Sequence, residues 1–275
     1  MKKIILVVTL TFTGLTTTFV ACKKNQEYET SKPYSTLTSS NIYSIYKEVG
    51  NLHNTGIYNL LLNDDLVNSD YTLDLVHNSV SSRTYNFLIE NTEKLDINSI
   101  DSFNNAQILS DVINNKLYDN PKDSWDEFLD DNIKNRITER ELILINELKD
   151  VYNNSYKLAS PNEQSEYLVS NISTLINKYD KTHWNENEGD LVGGMLYISF
   201  YSSNLWSPSN NDNNPSNIPP IESVPMIVQA DCIGYLYGWG KSWLWDEEPD
   251  SKKRIKAGVG TALEFSLLKR LAKYL

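Results

Sequence analysis

Basic residues are scarce in this sequence. Its 25 lysines and arginines are outnumbered by 36 aspartates and glutamates, which gives a formal net charge of −11. A protein that binds nucleic acid needs a positively charged surface to neutralise the phosphates. The acidic composition therefore argues against nucleic acid as a partner.

Familiar catalytic motifs are also missing. The sequence contains no P-loop, no Gly-x-Gly-x-x-Gly and no Gly-x-Ser-x-Gly. Histidine, a common general base, occurs only three times, at His53, His77 and His183. We therefore expect no cofactor and no metal ion, and we prefer a non-enzymatic role to an enzymatic one, which stays open as an alternative.

Strand patterns are poor as well, since alternating apolar runs are rare and no Asn-Gly or Asp-Gly hairpin turn occurs. Apolar residues instead recur at spacings of three and four, which is typical of amphipathic helices. We predict an all-α fold, a bundle of seven to nine helices. The predicted helices cover residues 40–61, 71–93, 99–117, 123–131, 136–157, 160–180, 224–243 and 252–273, and residues 191–206 form an apolar segment rich in small residues.

The first 22 residues have the parts of an export signal. Lys2 and Lys3 are positively charged, and residues 4–15 form an apolar run. Phe19-Val20-Ala21-Cys22 then places small residues directly before a cysteine. This order resembles the lipobox of bacterial lipoproteins, with Phe19 in place of the commoner leucine. The resemblance implies cleavage before Cys22 and attachment of a diacylglyceryl group to its thiol, with acyl chains such as palmitate.

A transmembrane anchor is the alternative for this leader. Spanning a bilayer takes about 20 strongly apolar residues, whereas residues 4–20 include six threonines and a glycine. We therefore prefer the lipoprotein interpretation, in which lipid on Cys22 attaches the protein to a membrane of the cell envelope, on its periplasmic or surface face. The expected role of such a protein is binding or structural.

Lipidation of Cys22 would leave Cys232 as the only thiol, so no disulfide could form within the chain. An exported protein without disulfides depends on its hydrophobic core for stability. We expect a signal peptide over residues 1–21, a lipidated flexible spacer over 22–37 and a single helical domain over 38–275. Within that domain, residues 206–222 are rich in proline and asparagine and predict a long loop.

Residues 229–245, QADCIGYLYGWGKSWLW, are rich in glycine and aromatic residues. Gly234 and Gly238 form a Gly-x-x-x-Gly pair, which lets helices approach closely. We predict that residues 224–275 form a helical hairpin packed in the core, with this glycine stripe against a second stripe of small residues. The second stripe consists of Ala257, Gly258, Thr261 and Ala262.

A membrane-active protein, acting through the basic, glycine-containing hairpin 224–275, is the alternative. Residues 252–275 carry a net charge of +6, and basic helices can bind bilayers. However, the first helix of the hairpin contains Gln229, Asp231 and Lys241, and a charge near the middle of a span costs roughly 2.5–3.5 kcal/mol. Burial in a protein core, or at a partner interface, avoids that cost.

Asp231 and His53 are isolated polar residues on apolar helix faces. A buried carboxylate has to be paired or hydrogen-bonded. We predict a buried polar pair between His53 and Asp231 that joins the first helix to the C-terminal hairpin. Lys241 and Arg254 are alternative partners for Asp231, and exposure of Asp231 to solvent is the remaining alternative.

Two stretches carry residues that could ligate a metal ion. His183–Asp190 is rich in oxygen ligands, but Gly189 and Asp190 stand where an EF-hand needs an acidic residue and a glycine. Asp74 and His77 lie one helical turn apart, with no third ligand indicated. A solvated loop and an ordinary helix face explain these residues, so the sequence predicts no metal site.

Cys232 and the paired acidic residues are expected to be structural. No histidine lies in a recognisable motif around Cys232, and a lone cysteine in an apolar helix is normally a small buried hydrophobe. The acidic pairs are expected on exposed helix faces; they are Glu139 with Glu141, and Glu163 with Glu166.

The stretch EVGNLHNTGIYNLLL, residues 48–62, contains Val-Gly followed two residues later by His-Asn. It resembles a Val-Gly-x-x-His-Asn stretch of uncharacterised exported lipoproteins, in which a C-terminal Ala-Asp with nearby glycines also recurs. Ala230-Asp231, with Gly234 and Gly238, would correspond to the latter. The resemblance implies no activity, but it favours His53 and Asp231 as parts of one structural unit.

Overall fold

The computed structural model describes residues 45–61, 73–91, 121–185, 188–208, 223–245 and 251–271. This part of the chain contains nine helices and no strand, which confirms the predicted all-α fold. In chain order the helices are α1 (Ile45–Leu61), α2 (Leu73–Asn91), α3 (Pro121–Phe128), α4 (Asp131–Lys134), α5 (Glu139–Ser155), α6 (Pro161–Lys181), α7 (Asp190–Leu205), α8 (Val224–Trp245) and α9 (Ser251–Leu271).

Several predicted segments lie outside the described residues. They are the signal peptide 1–21, the spacer 22–37 with Cys22, the helix at 99–117 and residues 209–222 of the predicted loop. The described helices all belong to one compact unit. None of them is both long enough and apolar enough to cross a membrane.

Local capping residues fix the starts of α5 and α6. The side chains of Thr138 and Ser160 each accept a hydrogen bond from the backbone N–H three residues further on. In return, the carboxylates of Glu141 and Glu163 accept hydrogen bonds from the backbone N–H of the caps. These reciprocal bonds satisfy N–H groups that have no partner inside a helix, so both helices begin where the sequence places a capping box.

The structure divides the predicted helix at 123–131 into α3 and α4. Asp130 lies between them with extended backbone, φ −72° and ψ 176°, and its side chain accepts a hydrogen bond of 2.9 Å from the backbone N–H of Ile133. This cap starts a new helix at Asp131 and so separates it from α3. Pro121 begins α3, where its fixed φ suits the first helical turn.

The hairpin of α8 and α9 forms the centre of the bundle. α8 packs against α9 and also against α3, α5, α6 and α7, while α9 also contacts α1, α2 and α7. Every residue from Ile227 to Trp239 is buried, and so is every residue from Arg254 to Leu268. The predicted burial of the C-terminal hairpin in the core is therefore confirmed.

Glycines allow the two helices of the hairpin to touch. A Cβ atom added to Gly234 would lie 2.8 Å from Ala262 Cα and 2.8 Å from the carbonyl oxygen of Thr261. One added to Gly238 would collide with the carbonyl oxygen of Ala257. The two small-residue stripes predicted from the sequence thus face each other, and larger residues there would push the helices apart.

The Tyr235 ring fills space that two other glycines leave open. A Cβ atom on Gly258 of α9 would lie 2.6 Å from the ring, and one on Gly194 of α7 would collide with it. The Tyr235 hydroxyl donates a hydrogen bond of 3.3 Å to the carbonyl oxygen of Asp190. Tyr235 therefore holds α8 against both α7 and α9.

Candidate functional site

Five polar side chains meet where α1, α7, α8 and α9 pack together. We call this group the central polar cluster. His53, Ser202, Asp231 and Ser266 are completely buried within it, and Trp206 is 5% exposed. The cluster connects α1 with three helices that follow more than 120 residues later; its members are His53 of α1, Ser202 of α7, Trp206 directly after α7, Asp231 of α8 and Ser266 of α9.

Two glycines bring His53 into the cluster. A Cβ atom on Gly50 would lie 2.5 Å from the Tyr201 ring of α7, and one on Gly56 would lie 2.6 Å from the Leu263 side chain of α9. Gly50 and Gly56 stand one helical turn before and after His53, so all three lie on the same face of α1. The close approach of α1 to α7 and α9 therefore aims the imidazole at the centre of the bundle.

Asn54 sets the orientation of the His53 ring. Its Nδ2 donates a hydrogen bond of 2.8 Å to the carbonyl oxygen of Tyr201, which turns Asn54 Oδ1 toward His53 Nδ1 at 3.2 Å. The N–H of the neutral ring is thereby assigned to Nδ1, since an amide oxygen can only accept. The other nitrogen, Nε2, lies 3.6 Å from Asp231 Oδ2. The structure thus brings His53 and Asp231 into contact, at a separation longer than a hydrogen bond.

Neutral donors surround the Asp231 carboxyl group. The Ser202 hydroxyl donates to Oδ2 at 2.5 Å, and the Ser266 hydroxyl and the Trp206 indole lie near the group without a hydrogen bond of ordinary geometry. Burial raises the pKa of Asp231 to about 8, although these three donors lower it in part. Asp231 is therefore neither exposed to solvent nor a conventional ionised carboxylate.

Burial has the opposite effect on the basic member of the pair. It lowers the pKa of His53 to about 4, and the hydrogen bonds to Asn54 and to the Ala262 backbone only partly oppose this shift. With the pKa of Asp231 at about 8, the pair carries one proton over most of the pH range from 4 to 8. The site is electrically neutral there, which suits its complete enclosure.

The order of contacts differs from that of a catalytic triad. In a triad, the histidine accepts the serine proton and the carboxylate supports the histidine. Here the Ser202 hydroxyl donates to Asp231 instead of His53, so no base activates it. None of His53, Ser202 and Asp231 has any exposed side-chain surface on which a substrate could bind. The arrangement joins helices through buried polar contacts.

Cys232, next to Asp231, is completely buried. Burial raises the pKa of its thiol to about 12, and the hydroxyls of Ser199 and Tyr152 lower it only in part. A thiol that stays protonated is a poor nucleophile. The structure places Cys232 in the core as a small apolar side chain, in the position expected from the sequence.

A second buried polar centre lies at the start of α7. Arg254 of α9 donates to Asp190 Oδ2 at 2.7 Å, and Tyr46 of α1 donates to Oδ1 at 2.5 Å. Arg254 is therefore paired with Asp190, which removes it as the expected alternative partner of Asp231. Lys241, the other alternative, lies over the Tyr237 ring, 5.2 Å from its centroid.

The stretch His183–Asp190 does not form an open ion-binding loop. Arg140 donates hydrogen bonds to the carbonyl oxygen of His183 and to the Glu188 carboxylate, and Asp190 is committed to its buried ion pair. Among the described residues, no group of three histidine, cysteine or acidic side chains is placed to hold a metal ion. The side chains of Asp74 and His77 lie outside the described part of the chain.

Glu141 corrects the expectation that the acidic pairs lie on exposed faces. Glu139, Glu163 and Glu166 are exposed, but Glu141 is only 3% exposed. Its Oε1 accepts a hydrogen bond of 2.9 Å from the backbone N–H of Gly189, while Oε2 accepts one from the backbone N–H of the capping residue Thr138. One carboxylate thus caps α5 and also holds the chain just before α7, and burial raises its pKa above the ordinary value.

Sequence reasoning identified two members of the cluster and missed the others. Ser202 and Trp206 belong to an apolar segment in which a buried serine leaves no periodic signal, and Ser266 is one hydroxyl in a small-residue helix. Asn54 could have been identified from the sequence, because it directly follows His53 in the His-Asn pair. No family model, no curated protein and no solved structure matches the chain.

Proposed function

We propose that the protein is a lipoprotein of the cell envelope, held at a membrane by acyl chains on Cys22, whose helical body has a binding or structural role. The anchor is supported by the order of the leader: two lysines, an apolar run and Phe19-Val20-Ala21-Cys22. Two or three acyl chains on one cysteine hold a protein stably, whereas one chain binds only reversibly.

The observation that carries the non-enzymatic role is the enclosure of the central polar cluster. An acid, a base and a hydroxyl lie together in it, and each is completely buried. Catalysis requires such groups to reach a substrate, whereas here each of them contacts another helix. A body held together in this way can offer its outer surface to other molecules.

The competing proposal of a membrane-active C-terminal hairpin has less support. Its basic residues would have to face anionic headgroups, yet Arg254, Lys256 and Arg270 are each less than a tenth exposed. Arg254 is paired with Asp190, and Arg270 lies over the Trp206 ring. Three of the seven basic residues that suggested lipid binding are thus enclosed in the helical body.

The anchor is tested by labelling cells with palmitate and measuring the intact mass of the membrane-extracted protein. We expect a chain that begins at Cys22, carries acyl chains and contains the label. The Cys22→Ser variant should lose the label, and the matched Cys232→Ser variant should keep it, because that thiol is buried in the core. An unmodified mass that retains Met1, or label that survives in Cys22→Ser, would contradict the proposal.

A further inference from the structure

We propose that the His53–Asp231 pair is a proton-dependent latch. The two side chains hold one proton between them, and loss of that proton at mildly alkaline pH loosens the hold of α8 on α1. The latch lies inside the helical body and does not depend on lipid at Cys22.

The geometry of the pair favours a state with one proton. Because Asn54 Oδ1 takes up the N–H on His53 Nδ1, the neutral ring turns the lone pair of Nε2 toward Asp231 Oδ2 at 3.6 Å. Two lone pairs facing each other repel, so the contact is favourable when one proton resides on either group. A second proton, or none, leaves a net charge in a completely buried site.

The side chains that lower the pKa of Asp231 are neutral, and they stabilise its ionised form only in part. Asp231 contacts hydroxyl and indole donors, which are neutral, and it raises the pKa values of the neighbouring Tyr152 phenol and Cys232 thiol. The nearby cation Arg270 is stacked on Trp206, 5.6 Å from the ring centroid. By element, the groups are His53 on α1, Tyr152 on α5, Ser202 and Trp206 at the end of α7, Cys232 on α8, and Ser266 and Arg270 on α9.

Thermodynamic linkage between proton binding and opening of the bundle gives the direction in which pH changes its stability. In the closed bundle the pKa of Asp231 is about 8 and that of His53 about 4, so one proton stays on the pair up to about pH 8. In an opened state the pKa values return to 3.8 and 6.5, and the proton is lost already above pH 6.5. The stability that comes from the raised pKa of Asp231 is therefore lost as pH rises through 8. The equilibrium constant for opening rises about 20-fold between pH 6 and pH 9.

Amide hydrogen exchange of α8 in the purified full chain measures this opening, after correction for the intrinsic exchange rate at each pH. We expect the opening constant of the unmodified chain to rise about 20-fold from pH 6 to pH 9. In Asp231→Asn the dependence should reverse and fall about fourfold, because only His53 remains and its neutral form favours the closed state. The control Glu188→Gln removes a partly exposed carboxylate at the surface whose pKa is lowered, and it should keep the 20-fold rise.

The unmodified chain supplies a second measurement in case Asp231→Asn fails to fold. Carbon chemical shifts of the Asp231 carboxyl and the His53 ring should show a titration step near pH 8. Absence of any step between pH 7 and pH 9 at both residues would overturn the latch. A rise in opening that is equal in Asp231→Asn and in the unmodified chain would overturn it as well.

Discussion

At the scale of single residues, the stability lost on replacing a charged side chain depends on how deeply its partner is buried. The side chains of Arg254 and Asp190 are 4% and 8% exposed, and their closest atoms are 2.7 Å apart. Removing one partner of such a pair leaves the other charge buried without its counterion, which costs far more than the loss of a surface ion pair. The hold of α9 on α7 therefore depends strongly on Arg254.

We expect Arg254→Met to lower the free energy of unfolding by about 3–5 kcal/mol, because it strands the Asp190 carboxylate. The matched control is Lys178→Met, which breaks the ion pair of Lys178 with Glu147, two side chains that are 51% and 38% exposed. The control should lose less than about 1 kcal/mol. Urea denaturation followed by circular dichroism measures the free energy of unfolding of both variants. Equal losses would show that the buried ion pair contributes no more stability than the exposed one.

At the scale of helices, the distance between α8 and α9 is set by where glycine occurs. Gly238 faces the backbone of α9, which cannot move aside without shifting the whole helix. Gly240, two residues later, faces the Cδ1 atom of Ile133, the far end of a flexible side chain. Both positions gain the same helix propensity when glycine is replaced by alanine. Comparing the two variants therefore isolates the effect that the spacing of α8 and α9 has on stability.

We expect Gly238→Ala to destabilise the protein by about 1–3 kcal/mol, because overpacking outweighs a gain of about 1 kcal/mol in helix propensity. Gly240→Ala should leave the stability unchanged or raise it by up to about 1 kcal/mol, since Ile133 can adopt another rotamer. Thermal unfolding of both variants is the measurement. A Gly238→Ala protein as stable as Gly240→Ala would mean that the helices are not in the contact described here.

Elements whose ends depend on local chemistry could be predicted from the sequence. Ser160 with Pro161 predicts the start of α6, and the apolar periodicity predicts α5. The small-residue stripes of α8 and α9 also predict their own partner, because each needs a smooth surface opposite it. The break between α3 and α4 was not predicted, since a cap at Asp130 interrupts a pattern that apolar spacing alone makes continuous.

At the scale of the whole molecule, contacts between distant segments could be predicted only where few partners were available. His53 and Asp231 were paired because both are isolated on apolar faces. The pairing of Asp190 with Arg254 was not predicted, because Asp190 belongs to a polar, oxygen-rich stretch that resembles a solvated loop. Burial of Glu141 was missed for a related reason: its second partner, the N–H of Gly189, lies 48 residues away.

The enclosure of the core as a whole can be measured through Cys232, whose thiol is completely buried. With the pKa of this thiol raised to about 12, alkylation at pH 8 should be at least about a thousand-fold slower in the folded chain than in urea. The control is Ser170→Cys in a Cys232→Ser background, at an exposed position of α6. Equal alkylation rates for Cys232 and for the control would contradict an enclosed core.

α1 cannot complete its packing until α9 has been synthesised and has emerged. α1 rests on α7 and α9, and Asn54 bonds to a carbonyl group 147 residues further along the chain. A polypeptide that leaves the ribosome or a secretion channel from its N-terminus presents α1 first and α9 last. Throughout that interval only α2 is available to cover α1, and the surface that later packs on α7 and α9 is open to aggregation. A product that stops short of α9 would lack the centre of the bundle and would be a natural target for chaperones and proteases.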